Sequence, residues 1–181
     1  MITLKSNSAT VQINEKGAEI SSFKSLETGV EHVWQANPEI WGRHAPVLFP
    51  IVGQVEDGEY FVDGKRFELS QHGFARDKDF EISLKTDTSV RFSLSFDVET
   101  LLKYPYKFQL DITYTLVDLS LKIGYEVKNL DDKTMFFQLG AHPGFTCPFK
   151  EGEAFSDYKL VFDKPLTEDR LLFTDGLLSG E

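Results

Sequence analysis

From Lys107 to Leu116, apolar side chains fill every second position: Phe108, Leu110, Ile112, Tyr114 and Leu116 alternate with Lys107, Gln109, Asp111, Thr113 and Thr115. A period of two marks a β-strand with one buried face. The same pattern runs through Leu119, Leu121, Ile123, Tyr125 and Val127, and through Phe92, Leu94, Phe96 and Val98. Phe80, Ile82 and Leu84 form a shorter strand, and Met135–Leu139 an apolar one just ahead of Gly140. Thr10–Ile13 and Ala18–Phe23 are two further strands, closed by glycine-containing turns at Asn14–Gly17 and Glu27–Gly29. Glu59–Val62 and Lys65–Leu69 flank Asp63-Gly64, a pair suited to a tight hairpin because glycine accepts positive φ. Links as short as Val117-Asp118 force antiparallel neighbours. Helical spacing is confined to Pro38–Trp41 and Glu99–Lys103, each about one turn, so crossover helices for a parallel sheet are lacking. The predicted class is all-β, a sandwich or a barrel. Arg170–Glu181 reads as a continuing strand-and-turn run, which leads us to expect a fold incomplete at its C-terminus.

Composition sharpens this picture. The 181 residues suffice for one domain, and no linker, repeat or compositional shift divides them. The 19 Lys and Arg against 29 Asp and Glu give a net charge of −10, which repels the phosphates of nucleic acid and of anionic membranes. No apolar run reaches the roughly 18 residues that span a bilayer, and the N-terminus lacks an apolar core of signal-peptide length. With a single cysteine, Cys147, the expected location is the cytoplasm, without a membrane partner. No glycine-rich loop links a strand to a helix, so neither a nucleotide nor a redox cofactor is expected. The histidines lack metal-ligand spacing, and no metal is expected either.

Candidate chemistry centres on four histidines, His32, His44, His72 and His142, whose ordinary pKa lies near neutrality. His72 and His142 stand in Gln71–Arg76 and Gly140–Phe145, each beside glycine, where the backbone turns sharply and a ligand can approach. His142 directly follows an expected strand, at a loop position where scaffolds often carry function. His32 and His44 have less to distinguish them from structural or surface residues. Arg43 opens a third segment, Arg43–Gly53, and Arg76 closes the second; a guanidinium fork suits bidentate binding of hydroxyls, carboxylates or phosphates. Trp41, Phe49, Phe74 and Phe145 lie close by in sequence. Since a sugar presents hydroxyl edges and apolar C–H faces, this mixture fits a sugar pocket.

At these segments the chain resembles the aldose 1-epimerase (galactose mutarotase) family, in particular the branch of LacX-like proteins and hexose-6-phosphate mutarotases. The resemblance is carried, in order, by Arg43–Gly53, Gln71–Arg76, Tyr104–Phe108 and Gly140–Phe145. It implies a large antiparallel β-sandwich of which this chain is about the N-terminal two-thirds, and interconversion of the α- and β-anomers of a hexose or hexose 6-phosphate through the open-chain aldehyde. It further implies His142 as the general acid toward the ring oxygen, with His72 as its companion at the reacting ring. Arg43 would bind hydroxyls, and Arg76, with Arg43, a phosphate. The family's general base is a glutamate near the C-terminus in a Glu-Pro-Trp-like context, and nothing in residues 1–181 matches it. A non-catalytic carbohydrate-binding β-sandwich is the alternative expectation.

Overall fold

The computed structural model describes residues 1–165, 167, 172–174 and 177–179. Alternating apolar positions become two antiparallel sheets sharing one core. The first runs in the order β1 (Ile2–Lys5), β2 (Ala9–Ile13) and β3 (Ile20–Ser25). The second contains β7 (Glu81–Lys85), β8 (Ser89–Ser95), β9 (Phe108–Val117) and β10 (Ser120–Asn129), in the spatial order β10-β9-β8-β7. Leu4, Val11 and Ile13 of the first sheet join Val90, Phe92, Leu110, Ile112 and Tyr114 of the second in a contiguous buried cluster. Across it, the buried Tyr114 hydroxyl donates to the Ala18 carbonyl at 2.7 Å.

Turn chemistry sets the register. β5 (Glu59–Val62) and β6 (Lys65–Glu68) meet through Asp63 and Gly64, at φ 50° and 75°. Positive φ at both positions is the type I′ geometry that matches strand twist. Between β9 and β10 the turn is Asp118-Leu119, so Leu119, expected in a strand, sits in the turn. A single α-helix, α1 (Val98–Lys103), is assigned among the described residues. It opens on a reciprocal capping box in which Asp97 Oδ1 accepts the Thr100 amide and Thr100 Oγ1 accepts the Asp97 amide. Pro38–Trp41 closes as one turn on the Asn37 carbonyl.

Several predicted strands differ from expectation in their surroundings. The apolar stripe of β10 is in register with the buried stripe of β9 but only partly covered, Ile123 being 39% exposed. In β7, Ile82 and Leu84 are also exposed, although Phe80 just before it is buried. Both strands lie at sheet edges, where the facing sheet gives less cover. Met135–Leu139 pairs in no ladder among the described residues. Instead, Gln138 N–H donates to the Pro50 carbonyl, and only Gly140–Ala141, β11, pairs with β4 (Val47–Leu48). Within the expected strand-and-turn run, β12 (Leu172–Thr174) and β13 (Leu177–Ser179) pair antiparallel, while residues 170–171, 175–176 and 180–181 lie outside the described residues. No described helix is long and apolar enough to cross a membrane.

Candidate active site

Backbone hydrogen bonds lace three of the four motif segments together. Residues 140–144 run antiparallel to 44–48: Gly140 faces Leu48, Ala141 faces Val47, His142 N–H donates to Pro46 O, and Gly144 N–H donates to His44 O. On the other flank, the amides of Phe74 and Ala75 both donate to Phe49 O, and His72 N–H donates to Gly53 O at 2.7 Å. The 43–53 segment is thus the central rung that sets the distance between the two histidine loops. Their ring centroids are 6.3 Å apart.

This close approach requires glycine at two positions. A Cβ on Gly73 would lie 2.3 Å from Phe49 O, and its φ is +71°. At Gly144, where the backbone itself would tolerate a side chain, a Cβ would meet Trp34 Cβ at 2.8 Å and the Trp41 ring at 2.9 Å. Glu19 adds a longer-range tie, its Oε1 accepting the His44 and Ala45 amides at 2.9 and 2.8 Å.

The two histidine rings are held differently. His72 Nδ1 accepts the Gly53 amide at 3.0 Å, which leaves Nε2 to carry the proton of the neutral ring and point a donor elsewhere. Burial, followed by the charges of Arg76, His142 and Arg43, holds the His72 pKa below its ordinary value. Among the described residues, the histidine rings hydrogen-bonded to protein are those of His44 and His72; that of His142 is not. The exposed His142 ring packs instead on Trp41, with centroids 5.1 Å apart and planes at 49°.

Arg43 and Arg76 share one carboxylate. Arg43 Nη2 donates to Asp77 Oδ1 at 2.9 Å, and Arg76 Nε lies 3.8 Å from Asp77 Oδ2, an ion pair without a hydrogen bond. Arg76 Nη2 donates to Gln71 O at 2.7 Å, while its buried Nε has no hydrogen-bond partner. Burial and Arg43 lower the Arg76 pKa, and Asp77 opposes them. Both arginines also line an open concavity of about 650 Å³, where Lys16 and four carboxylates, Glu15, Glu19, Asp77 and Asp79, surround them.

The expected site residues thus fall in two pairs, His72 beside His142 and Arg43 with Arg76 on Asp77, and the charges of both arginines reach His72. His32 and His44 lie elsewhere in the scaffold: His32 packs between Phe23 and Phe149, and His44 Nδ1 is 2.7 Å from Trp34 O. Asp77 and Glu19 were not anticipated. Asp77 follows Arg76 directly, an acid beside a base that could have drawn notice; Glu19 is 25 residues from His44, and no local pattern announces it.

The antiparallel sheets form a β-sandwich that matches the fold of galactose mutarotase-like proteins. The aldose 1-epimerase family profile matches residues 1–172, and the chain belongs to that family. Two LacX proteins of Lactococcus lactis subsp. lactis, one chromosomal and one plasmid-borne, are each 38% identical to it over 169 residues, covering 90% of this chain and 56% of theirs. A galactose mutarotase related enzyme from Lactobacillus acidophilus superposes with a TM-score of 0.82 at 48% identity, covering 84% of this chain and 51% of its own. A galactose mutarotase-like protein from Lactobacillus casei gives 0.78 at 42%, over 80% of this chain and 49% of its own. The chain spans about half the length of the relatives it matches.

Proposed function

We propose that this chain carries the sugar-holding and proton-donating part of an aldose 1-epimerase acting on a hexose or a hexose 6-phosphate. The observation that carries this reading is the juxtaposition of His72 and His142 with opposite hydrogen-bonding states. Anomer exchange needs the anomeric O1 to lose a proton and the ring oxygen to gain one as the C1–O5 bond breaks. Rotation about C1–C2 then exposes the other carbonyl face, and reclosure reverses both transfers. His72, with Nδ1 occupied by Gly53, is suited to donate a fixed hydrogen bond from Nε2 to a sugar oxygen. His142 keeps a ring nitrogen free of protein partners, available to give and retake a proton as histidine most often does in general acid–base catalysis. The general base, by family resemblance a C-terminal glutamate, belongs to the part of the relatives' length that this chain does not span.

Arg43 fits the sugar's hydroxyls, and the planar guanidinium forks of Arg76 and Arg43, brought together at Asp77, are suited to a 6-phosphate. A second reading is a carbohydrate-binding sandwich without catalysis, which keeps the same histidine and arginine pairs as a sugar-holding surface.

Anomer exchange followed by NMR decides between them, using glucose, galactose and their 6-phosphates. The 181-residue chain would be measured alongside one carried to the relatives' full length. The expected result is accelerated exchange that His142→Ala abolishes while binding persists. Equal exchange by the His142→Ala variant would sink the proposal, and saturable binding with no exchange in any form would establish the binding module.

A further inference from the structure

We infer that Trp41 is the positioning residue of His142, fixing the imidazole by packing where other sites use a hydrogen bond to the second ring nitrogen. The inference rests on the reading of His142 as the proton donor. A ring that must hand a proton to one oxygen needs a restricted orientation, and such rings are commonly held by a carbonyl or carboxylate on the far nitrogen. His142 has no such partner among the described residues; its backbone is pinned by Pro46 O, and its ring lies 5.1 Å from the indole.

Trp41 is itself held from three directions. Its amide donates to Asn37 O at 2.8 Å, closing a turn in which Asn37 Oδ1 also accepts the Glu39 amide. Its carbonyl accepts the Trp34 indole N–H at 2.8 Å. Its ring edge occupies the space that a side chain at position 144 would need. Gly144 follows His142 by two residues, so the loop that carries the imidazole also leaves room for the indole. A tryptophan so placed is a wall against which His142 can adopt few rotamers, and in the one adopted its ring lies 6.3 Å from that of His72.

The test combines spectroscopy with a mutant cycle. In the imidazole NMR spectrum of the 181-residue chain, Trp41→Ala is expected to remove the ring-current displacement of the His142 carbon-bound protons and to average its side-chain couplings. Trp41→Phe should retain much of both. Unchanged His142 shifts and couplings in Trp41→Ala, with the amide spectrum showing a folded protein, would overturn the inference whether or not the chain is active. In the anomer-exchange assay, Trp41→Ala should lower kcat up to about 100-fold, the scale that misplacement of a reacting group produces, with KM little changed and partial rescue by phenylalanine. It should cost nothing further in a His142→Ala background. A loss confined to KM would make Trp41 a sugar platform and overturn the positioning role. Failure of the two readings is distinguishable, because an active His142→Ala variant removes the proton-donor assignment, whereas an inactive His142→Ala beside a fully active Trp41→Ala removes only the role of Trp41.

Discussion

His72 and Gly53 hold each other twice: the His72 amide donates to the Gly53 carbonyl at 2.7 Å, and the Gly53 amide donates to His72 Nδ1 at 3.0 Å. The second bond fixes a tautomer, since Nδ1 can accept only while unprotonated. Nitrogen NMR of the imidazole at neutral pH should find the His72 proton on Nε2, and the midpoint of its titration should lie below the ordinary value of about 6.5. The effect on stability has a definite sign. Because the folded state resists protonation, the unfolded chain binds more protons between the native His72 pKa and about 6.5, so stability rises with pH across that window. It falls as the pH drops through the same window and is unaffected by His72 above it. His72 sits at φ +66°, a conformation that asparagine tolerates, so His72→Asn should fold and lose this pH dependence. An unchanged slope in denaturation midpoints between the two proteins would refute the assignment.

Gly73 is the point at which the histidine loop touches the central rung. Any Cβ there meets the Phe49 carbonyl at 2.3 Å from a backbone already at φ +71°. Gly73→Ala should therefore destabilise by at least about 2–3 kcal/mol, through steric clash together with left-handed strain. Thermal denaturation checks this, with Gly64→Ala as a control; that position shares the positive φ but has nothing within 4 Å of the added Cβ. Equal losses in the two variants would mean that strain alone, without the close approach, accounts for the effect.

The strands of this fold were legible because their signal is local. Period two in Phe108–Leu116 is written into adjacent residues, and Asp63-Gly64 carries its own turn geometry. What escaped depended on distant partners. β1 and the two-residue β4 are too short to show a period, and β10 has a core stripe in sequence but an edge position in space. Met135–Leu139 has strand composition, yet composition does not supply a neighbouring strand. In the site, glycine-flanked His72 and His142 stood out, as did Arg43 and Arg76. Their convergence depends on the 44–48 and 140–144 pairing, which joins segments almost a hundred residues apart and leaves no trace in either alone.

Arg76 offers a test of the phosphate reading. Arg76→Lys keeps the charge but loses the planar fork. Affinity for a hexose 6-phosphate should fall roughly 10- to 100-fold, the scale of a lost charge-assisted hydrogen bond, while affinity for the unphosphorylated hexose stays within about twofold. Titration calorimetry with both sugars measures the two losses side by side. An equal loss for both would assign Arg76 to the shared hydroxyls or to loop structure, because only the 6-phosphate carries the dianion.

On the outward face of the second sheet, Asp111 is 1% exposed and is surrounded by donors from four side chains. Ser93 Oγ donates to Oδ1 at 2.6 Å, Gln109 Nε2 lies 2.9 Å from both oxygens, and Arg91 and Lys128 reach Oδ2 at 2.5 and 3.0 Å. Burial alone pushes this carboxyl's pKa up, but the hydrogen bonds from Ser93, Gln109, Lys128 and Arg91 together outweigh it and hold the pKa well below the carboxylate range. With a depressed native pKa, the stabilisation is fully present above the ordinary aspartate value of about 3.9 and is lost as the pH falls below it toward the native pKa. Asp111→Ala leaves Gln109 without its acceptor and Ser93 with only the longer bond to Ser83 Oγ, and sets Arg91 beside Lys128 uncompensated except by Glu126. A loss of about 2–3 kcal/mol at neutral pH is expected, with a shallower acid-denaturation curve than wild type below pH 4. Because the cluster lies on the sheet face opposite the core, the His72 and His142 resonances should remain unmoved. Displacement of those resonances would show that the cluster reaches the histidine loops, contrary to its position on the outer face.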